Sequence, residues 1–228
     1  LTLIKRKEKT LVFAFQANIY AVILAKILNV KIITRSNSAP PGWSQNVIKN
    51  FIYKFFIKFA NDVMVNSFEF KKIFEKKFNI KVKCIYNPFN KNFVLKKIKI
   101  KKNIPFFKKG YLNIISVGRL TDQKDHLTLL RSIKELDSNF KVKVIIIGKG
   151  STKDALKRYI VKNNLQDKIK LFGYTNNPFP FIQKANIVVL TSKFEGLPNI
   201  LLEAQFLRKY IISTNCPTGP KEILLNSK

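Results

Sequence analysis

The chain has 228 residues, a length that fits one large domain or two small ones. Apolar residues make up 46% of the sequence and charged residues 25%, which is close to the globular average and excludes a disordered chain. Lys and Arg number 43 against 13 Asp and Glu, so the formal net charge is +30. Cys84 and Cys216 are too few for a disulfide scaffold and too far apart for a zinc ribbon.

The positive charge admits three interpretations: nucleic-acid binding, attraction to an anionic membrane surface, or a solubilising background. Only six of the cations are Arg, the residue that reads phosphate best, and the Lys residues are spread over the whole length. These observations favour the background interpretation first and a membrane surface second. We expect no specific nucleic acid as a partner.

Short apolar runs alternate with helix-length segments from one end of the chain to the other. The sequence predicts strands at 11–15, 30–34, 62–66, 82–86, 112–117, 143–147, 169–172, 187–190 and 210–213, and helices at 67–78, 127–136, 152–163 and 199–207. Continuous apolar strands alternating with helices are typical of doubly wound parallel sheets. The Lys-rich stretch 89–109 interrupts this order. We therefore predict two α/β domains, 1–88 and 110–228, joined by a linker at 89–109.

Two apolar segments could interact with a membrane. Residues 11–30 are interrupted by Gln16, Asn18 and Lys26, so a buried strand and helix are favoured over a transmembrane span. Residues 49–60 combine Phe and Ile with Lys at helical spacing. This pattern fits an interfacial helix, although a core-facing helix with a solvated Lys edge is somewhat favoured.

Ligands bind beyond the carboxyl ends of parallel strands, so the loops there are the candidate sites. After the strand at 112–117, Gly118 permits a sharp turn, and Arg119 and Lys124 precede a helix. Two cations at a helix N-terminus suit a diphosphate, although a turn with two solvated cations has the same sequence. The turn with Gly148 and Gly150 after the next strand is a weaker signal.

The loop after the strand at 187–190 carries two of the thirteen acids. Glu195 is predicted before a helix and Glu203 about a turn and a half inside it, so both carboxylates can face one cleft. The main-chain N–H groups of Leu197 and Asn199 would point at an anion there. The alternative is a capping Glu followed by a solvated helix Glu.

Together these residues resemble the GT-B retaining glycosyltransferases of family four, the glycosyl transferases group 1. The resemblance rests on the Glu195-x7-Glu203 pair, on Gly118-Arg119-Leu120 with Gln123-Lys124 upstream, on Phe172-Gly173-Tyr174, and on the segment 218–223. It covers residues 110–225, about half of the chain. It implies two Rossmann-like domains, of which we expect the first to be incomplete and the second truncated at its C-terminus, the chain being a fragment.

The resemblance implies a role for each matched residue. Arg119 and Lys124, beside Gly118, would hold the donor diphosphate, and Glu203 would bond the ribose hydroxyls. Glu195 would contact the donor sugar near its reacting carbon, so the predicted catalytic residues are Glu195, Arg119 and Lys124. The remaining predicted contacts to the nucleotide sugar come from Tyr174 beside the base and from the N–H groups around Gly196, Leu197 and Asn199.

The resemblance also implies a reaction. We expect a sugar to move from a UDP- or GDP-linked donor to a glycan or lipid-linked acceptor with retention of configuration, without a metal or another cofactor. Many relatives place a His near the donor sugar in the first domain, whereas the single His here, His126, begins a helix of the second. We therefore expect the fragment alone to be inactive.

The acceptor side is less defined. Arg35, Asn37 and Trp43 follow a predicted strand and are candidate acceptor contacts, although a plain surface loop is equally consistent. The basic charge and residues 51–59 suggest bacterial polysaccharide or lipopolysaccharide assembly, with a cytoplasmic enzyme at the inner membrane face. The alternatives are a polyanion-binding protein, a sugar-nucleotide epimerase and a non-catalytic member of the same fold.

Overall fold

The computed structural model describes residues 10–15, 18–37, 46–137 and 139–224. The chain divides into two compact units that are discontinuous in sequence. Unit 1 comprises Leu1–Asn87, Phe194–Leu197 and Pro217–Lys228, and unit 2 comprises Pro88–Lys193 and Pro198–Cys216. The loop containing Glu195 therefore belongs to unit 1 by its contacts, although its sequence neighbours on both sides belong to unit 2.

Unit 1 has a four-stranded parallel sheet in the order β1-β2-β3-β4. The strands are β1 (Leu11–Phe15), β2 (Lys31–Ser36), β3 (Asp62–Val65) and β4 (Lys83–Cys84). The helices are α1 (Asn18–Ile27), α2 (Val47–Ile57), α3 (Phe68–Phe78) and, from the end of the chain, the short α9 (Pro220–Ile223).

Helix α3 contributes three of the largest buried side chains to the core of unit 1. Ser67 caps its N-terminus by accepting from the N–H of Phe70, and Asn79 ends it in the left-handed conformation. Phe70, Phe74 and Phe78 are spaced four apart, so they lie on one face of the helix and are buried. This face packs with Val63, Val65 and Val82 of the sheet region.

Unit 2 has a five-stranded parallel sheet in the order β7-β6-β5-β8-β9. Its strands are β5 (Leu112–Val117), β6 (Val142–Ile147), β7 (Ile169–Gly173), β8 (Ile187–Leu190) and β9 (Tyr210–Ser213). Its helices are α4 (Lys91–Ile98), α5 (His126–Lys134), α6 (Lys153–Lys162), α7 (Phe179–Lys184) and α8 (Asn199–Phe206).

The strands of unit 2 are covered on both faces. Ile114 and Ile146 pack into one cluster with α5 and α6, whereas the adjacent Ile115 and Ile145 pack into the other, with α7. Successive side chains of a strand point to opposite faces, so both faces of this sheet demand apolar residues. This explains the continuous apolar runs in the sequence and confirms the predicted doubly wound parallel class.

The Lys-rich stretch after Asn87 contains α4, a helix that the sequence pattern did not predict. Asn90 caps it, and the buried Val94 packs with Ile104 and Phe179 in the core of unit 2. A single buried side chain on an eight-residue helix leaves little periodicity to detect among exposed Lys residues. The predicted domain limits remain an expectation.

Candidate functional site

The loop after β5 lies at the point where the strand order of unit 2 reverses. β5 pairs with β6 on one side and with β8 on the other, so the connections on its two sides run in opposite directions. Ligands of open parallel sheets bind in the crevice at such a point. Gly118 and Arg119 follow β5 directly, which places the predicted diphosphate residues at this crevice.

Main-chain hydrogen bonds join this loop to the turn after β6. The N–H of Gly118 donates to the carbonyl oxygen of Ile147 (2.9 Å), and the N–H of Leu120 donates to that of Lys149 (2.9 Å). In return, the N–H of Thr152 donates to the carbonyl oxygen of Leu120 (3.0 Å). The backbone of the cation-bearing loop is therefore held in one conformation.

The two glycines of the β6 turn permit this contact. A Cβ at Gly148 would lie 1.8 Å from the carbonyl oxygen of Gly118, and one at Gly150 would lie 2.1 Å from that of Leu120. Both distances are far below a van der Waals contact. The turn, a weak signal in the sequence, thus serves close packing between two loops.

The two cations of the loop have different surroundings. Arg119 is exposed, and its Nη2 donates to Oε1 of Gln123 at 3.3 Å. Lys124 is half-buried, with its methylenes packed over Gly118, where a Cβ would be 3.5 Å from Cδ and Cε. The main chain of this region is fixed from the β8 side, because the N–H of Lys193 donates to the carbonyl oxygen of Gln123 at 2.8 Å.

His126 lies buried beneath this loop. Its Nδ1 is 3.2 Å from Oγ of Ser116, the penultimate residue of β5. Burial lowers the pKa of His126 to about 4, and the positive charge of Lys124 acts in the same direction. The imidazole is therefore neutral at physiological pH and forms part of the floor of the loop.

Glu203 and Tyr174 occupy the same unit. Glu203 lies on α8, and burial raises the pKa of its carboxyl to about 7. Tyr174 follows β7 with its ring exposed, and Nζ of Lys149 lies 5.1 Å from the ring centroid. Asn199 is the first residue of α8, and Pro198 occupies its N-cap position.

Glu195, Gly196 and Leu197 belong to unit 1. Glu195 is buried, and Oγ1 of Thr218 donates to its carbonyl oxygen. A Cβ at Gly196 would lie 2.2 Å from the carbonyl oxygen of Asn37. The sequence predicted these three residues as donor contacts but gave no indication of the main-chain support around them.

Among the candidate acceptor residues, Arg35 is the penultimate residue of β2 and Asn37 follows the strand. Arg35 is 9% exposed, which is low for a cation. Trp43 lies outside the described residues.

Glu222 has a role within unit 1 that the sequence pattern did not predict. Its carboxylate accepts hydrogen bonds from the N–H of Phe68, at 2.9 and 3.0 Å to the two oxygens, and from the N–H of Glu69 at 3.2 Å. The Tyr86 hydroxyl also donates to this carboxylate, at 2.5 Å. The carboxylate thus satisfies free N–H groups at the N-terminus of α3. The hydrogen bond to Glu222 raises the pKa of Tyr86 to about 12.

Among residues 10–15, 18–37, 46–137 and 139–224, no three His, Cys, Asp or Glu side chains gather as a metal ion would require. None of the helices in these ranges is long and apolar enough to cross a membrane.

The chain resembles known proteins over most of its length. It is 39% identical over 183 residues to an uncharacterized glycosyltransferase of Methanocaldococcus jannaschii, covering 75% of this chain and 44% of that protein. It is 34% identical over 110 residues (48% of this chain, 30% of the relative) to the Campylobacter jejuni N-acetylgalactosamine-N,N'-diacetylbacillosaminyl-diphospho-undecaprenol 4-alpha-N-acetylgalactosaminyltransferase. The chain thus spans less than half the length of these curated relatives.

Among solved structures, the Anabaena protein HepE in complex with UDP-glucose matches with a TM-score of 0.77 at 18% identity, covering 94% of this chain and 61% of HepE. This likeness confirms the predicted fold class, two Rossmann-like α/β sheets of the GT-B type. The family model for glycosyl transferases group 1 matches residues 97–228, more than half of the chain. The range includes the loops after β5, β6, β7 and β8, and the chain therefore belongs to the glycosyl transferases group 1 family.

Proposed function

We propose that the complete protein transfers a glycosyl group from a nucleotide sugar to a glycan or lipid-linked acceptor. The observation that carries this proposal is the loop of Arg119 and Lys124 at the reversal of strand order, held by hydrogen bonds from both neighbouring loops. Two cations carried at this crevice by an ordered main chain suit the diphosphate of a nucleotide sugar.

Sugar transfer breaks the bond between the anomeric carbon and the diphosphate, and the nucleoside diphosphate leaves with the electron pair. Negative charge therefore grows on the diphosphate oxygens in the transition state. Lys124 and Arg119 stabilise that charge, and their main chain is already ordered, so little reorganisation opposes the reaction. Removal of one such group typically costs roughly a hundredfold to a thousandfold in turnover.

The remaining contacts follow the family resemblance. Glu203 accepts hydrogen bonds from the ribose hydroxyls, Tyr174 lies beside the base, and Glu195 contacts hydroxyls of the donor sugar. A half-buried carboxylate whose pKa is raised gains from two hydroxyl donors, because they stabilise its charged form. We propose a UDP- or GDP-linked donor, retention of configuration, and catalysis without a metal. HepE, solved with UDP-glucose, supports the nucleotide class.

We further propose a lipid-linked acceptor reached at the cytoplasmic face of a bacterial membrane, in polysaccharide assembly. The name of the Campylobacter relative specifies a diphospho-undecaprenol acceptor, which supports this class of acceptor.

Helix α2 of unit 1 provides a second observation in support of a membrane surface. Ile48, Phe51 and Phe55 are 69%, 70% and 53% exposed, with Lys49 and Lys54 exposed between them. An exposed apolar face that is rich in aromatic side chains and lies next to cations supports the interpretation of α2 as an interfacial helix.

A thermal-shift panel on the full-length protein tests the nucleotide site. UDP, GDP, their sugar conjugates and a DNA oligomer would be compared at about 150 mM salt, near physiological ionic strength. A ligand at about 100 times its Kd adds ~2.7 kcal/mol of stability. We expect a shift with one nucleotide class only, after which transfer of the labelled sugar identifies the reaction. A shift with DNA alone, lost as salt increases, would contradict the proposal in favour of polyanion binding.

A further inference from the structure

The main chain of the Glu195–Leu197 segment is held at each of its three residues by groups of unit 1. Oγ1 of Thr218 donates to the carbonyl oxygen of Glu195. Gly196 lies so close to Asn37 that no Cβ could fit between them. The carbonyl oxygen of Leu197 accepts from Nδ2 of Asn87 at 3.2 Å. Three consecutive residues of a loop are thus fixed without any regular secondary structure.

Arg35 determines how Asn87 is oriented. Its Nη2 donates to Oδ1 of Asn87 at 2.8 Å and to the carbonyl oxygen of Ile85 at 3.2 Å. Because Oδ1 of Asn87 accepts from the guanidinium, its Nδ2 points the opposite way, toward Leu197. The Nε of Arg35 also donates to Oδ1 of Asn37 at 3.1 Å. One guanidinium therefore holds the side chains of Asn87 and Asn37, two of the asparagines that lie against the loop.

The burial of these groups makes the arrangement rigid. Thr218 is 0% exposed and Glu195 is 6% exposed. A buried carbonyl that loses its donor must either remain unsatisfied or move, and both outcomes carry a free-energy cost. Displacement of the main chain would carry the Glu195 side chain with it. Catalytic groups tolerate displacements of only a fraction of an ångström.

We propose that Thr218, Asn87 and Arg35 are positioning residues that hold the carboxylate of Glu195 in place for the donor sugar. The inference rests on the proposed function, which gives Glu195 its contact with that sugar. Thr218 acts on Glu195 directly, whereas Arg35 acts through Asn87 and Asn37. None of the three is required to touch the substrate.

Steady-state kinetics of a double-mutant cycle in the full-length protein test this inference. Thr218→Val keeps the shape of the side chain and removes the donor, and Thr218→Ser restores the hydroxyl. We expect Thr218→Val to lower kcat by about tenfold or more, with the Kd for the free nucleoside diphosphate changed less than about twofold. Thr218→Ser should stay close to the wild type. In a Glu195→Gln background, Thr218→Val should have no further effect on kcat.

Arg35→Lys is the second variant, in case Thr218→Val lowers the yield of folded protein. Lys retains the charge but lacks the planar fork that bonds two asparagines, so we expect the same loss of kcat with little change in nucleotide Kd. Amide hydrogen exchange gives a readout that does not depend on activity. Exchange at residues 195–197 should accelerate in Thr218→Val and in Arg35→Lys but not in Thr218→Ser.

Three results would overturn the inference: wild-type kcat in both Thr218→Val and Arg35→Lys, an undiminished effect of Thr218→Val in the Glu195→Gln background, or unchanged exchange at residues 195–197. The proposed function fails differently. In that case the wild-type protein itself would transfer no sugar and show no thermal shift with any nucleotide, whereas exchange at residues 195–197 would still report on the positioning contacts.

Discussion

Oγ1 of Thr191 donates to the main-chain carbonyl oxygen of Lys124 at 3.1 Å. The bond joins the loop after β8 to the loop after β5 at the place where the strand order of unit 2 reverses. It fixes the main chain of Lys124 from the side opposite to the β6 turn. Lys124 is therefore the cation of the pair whose backbone is held most directly.

Replacement of Lys124 by Met should lower kcat for sugar transfer by about a hundredfold or more, because Met fills the space over Gly118 but brings no charge to the leaving diphosphate. Turnover of the full-length variant with a labelled donor measures the effect. Lys134→Met on the exposed side of α5 is the matched control and should leave kcat unchanged. Near-normal turnover of Lys124→Met would contradict the assigned role.

Glu203 should make nucleotide affinity depend on pH near neutrality. Its carboxyl has a pKa of about 7, and ribose hydroxyls bind the charged form better, so affinity should increase from pH 6 to pH 8. Isothermal titration calorimetry at several pH values measures this trend and the proton released on binding. In Glu203→Gln the affinity for a nucleotide sugar, whose doubly esterified diphosphate does not titrate in this range, should be weaker and independent of pH. A wild-type affinity that is constant from pH 6 to pH 8 would exclude the assignment.

Burial of Glu203 should also affect stability. A carboxyl whose pKa is raised from 4.5 to about 7 binds protons more tightly in the folded state, so its contribution to stability is present at low pH and is lost as pH rises toward 7. Glu203→Gln removes this dependence. Without nucleotide, the Tm of the variant relative to the wild type should increase from pH 5 to pH 8. A Tm difference that stays constant over this range would contradict the burial.

His126 should contribute to acid unfolding with the opposite sign. Its pKa is about 4 when folded against 6.5 for the free side chain, so the unfolded state binds more protons between these values. Stability is therefore lost as pH falls from 6.5 to 4. His126→Asn, which retains a polar atom near Ser116, should reduce this loss. Thermal melts of both proteins from pH 7 to pH 4.5 test the point, and parallel Tm curves would count against it.

Substitution of Gly148 by Ala should reduce stability and nucleotide binding more than substitution of Gly110 by Ala. Gly148→Ala forces a Cβ onto the carbonyl oxygen of Gly118 and must displace the cation loop. We expect a loss of at least about 2 kcal/mol in stability and weaker nucleotide binding. Gly110 has a φ of +76° and open space around it, so Gly110→Ala should cost only about 1 kcal/mol of backbone strain and leave binding intact. Equal effects of the two substitutions on binding would refute the close-packing argument.

Exposed aromatic side chains of α2 should determine attachment to anionic vesicles. The double variant Phe51→Ser with Phe55→Ser removes apolar surface, and Lys49→Gln with Lys54→Gln removes charge. Both should reduce cosedimentation with vesicles that contain phosphatidylglycerol, and only the charge variant should show a weaker salt dependence. Phe140→Ser, at a residue of unit 2 that is 46% exposed, is the control. Equal binding of all variants would mean that attachment does not use α2.

The sequence determined the strands most completely. All nine predicted strands are present, and β1, β5, β8 and β9 have the predicted limits, because a strand covered on both faces must be a continuous apolar run. The sequence also predicted that the candidate site residues lie in the loops after the strands, because the carboxyl ends of parallel strands lie at the same edge of a sheet. Helix α4 escaped prediction because only one of its side chains is buried.

Only the tertiary structure decided what holds those residues in place. The contacts from Leu120 to Lys149, from Asn87 to Leu197 and from Glu222 to the N-terminus of α3 join positions 29, 110 and 154 residues apart. Main-chain carbonyl groups are the same in every residue type, and so are the N–H groups of all residues except Pro, so a local sequence pattern does not show which of them will meet. Likewise, the neutral form of His126 and the raised pKa of Glu203 come from burial, which is a property of the packed chain and not of the residue.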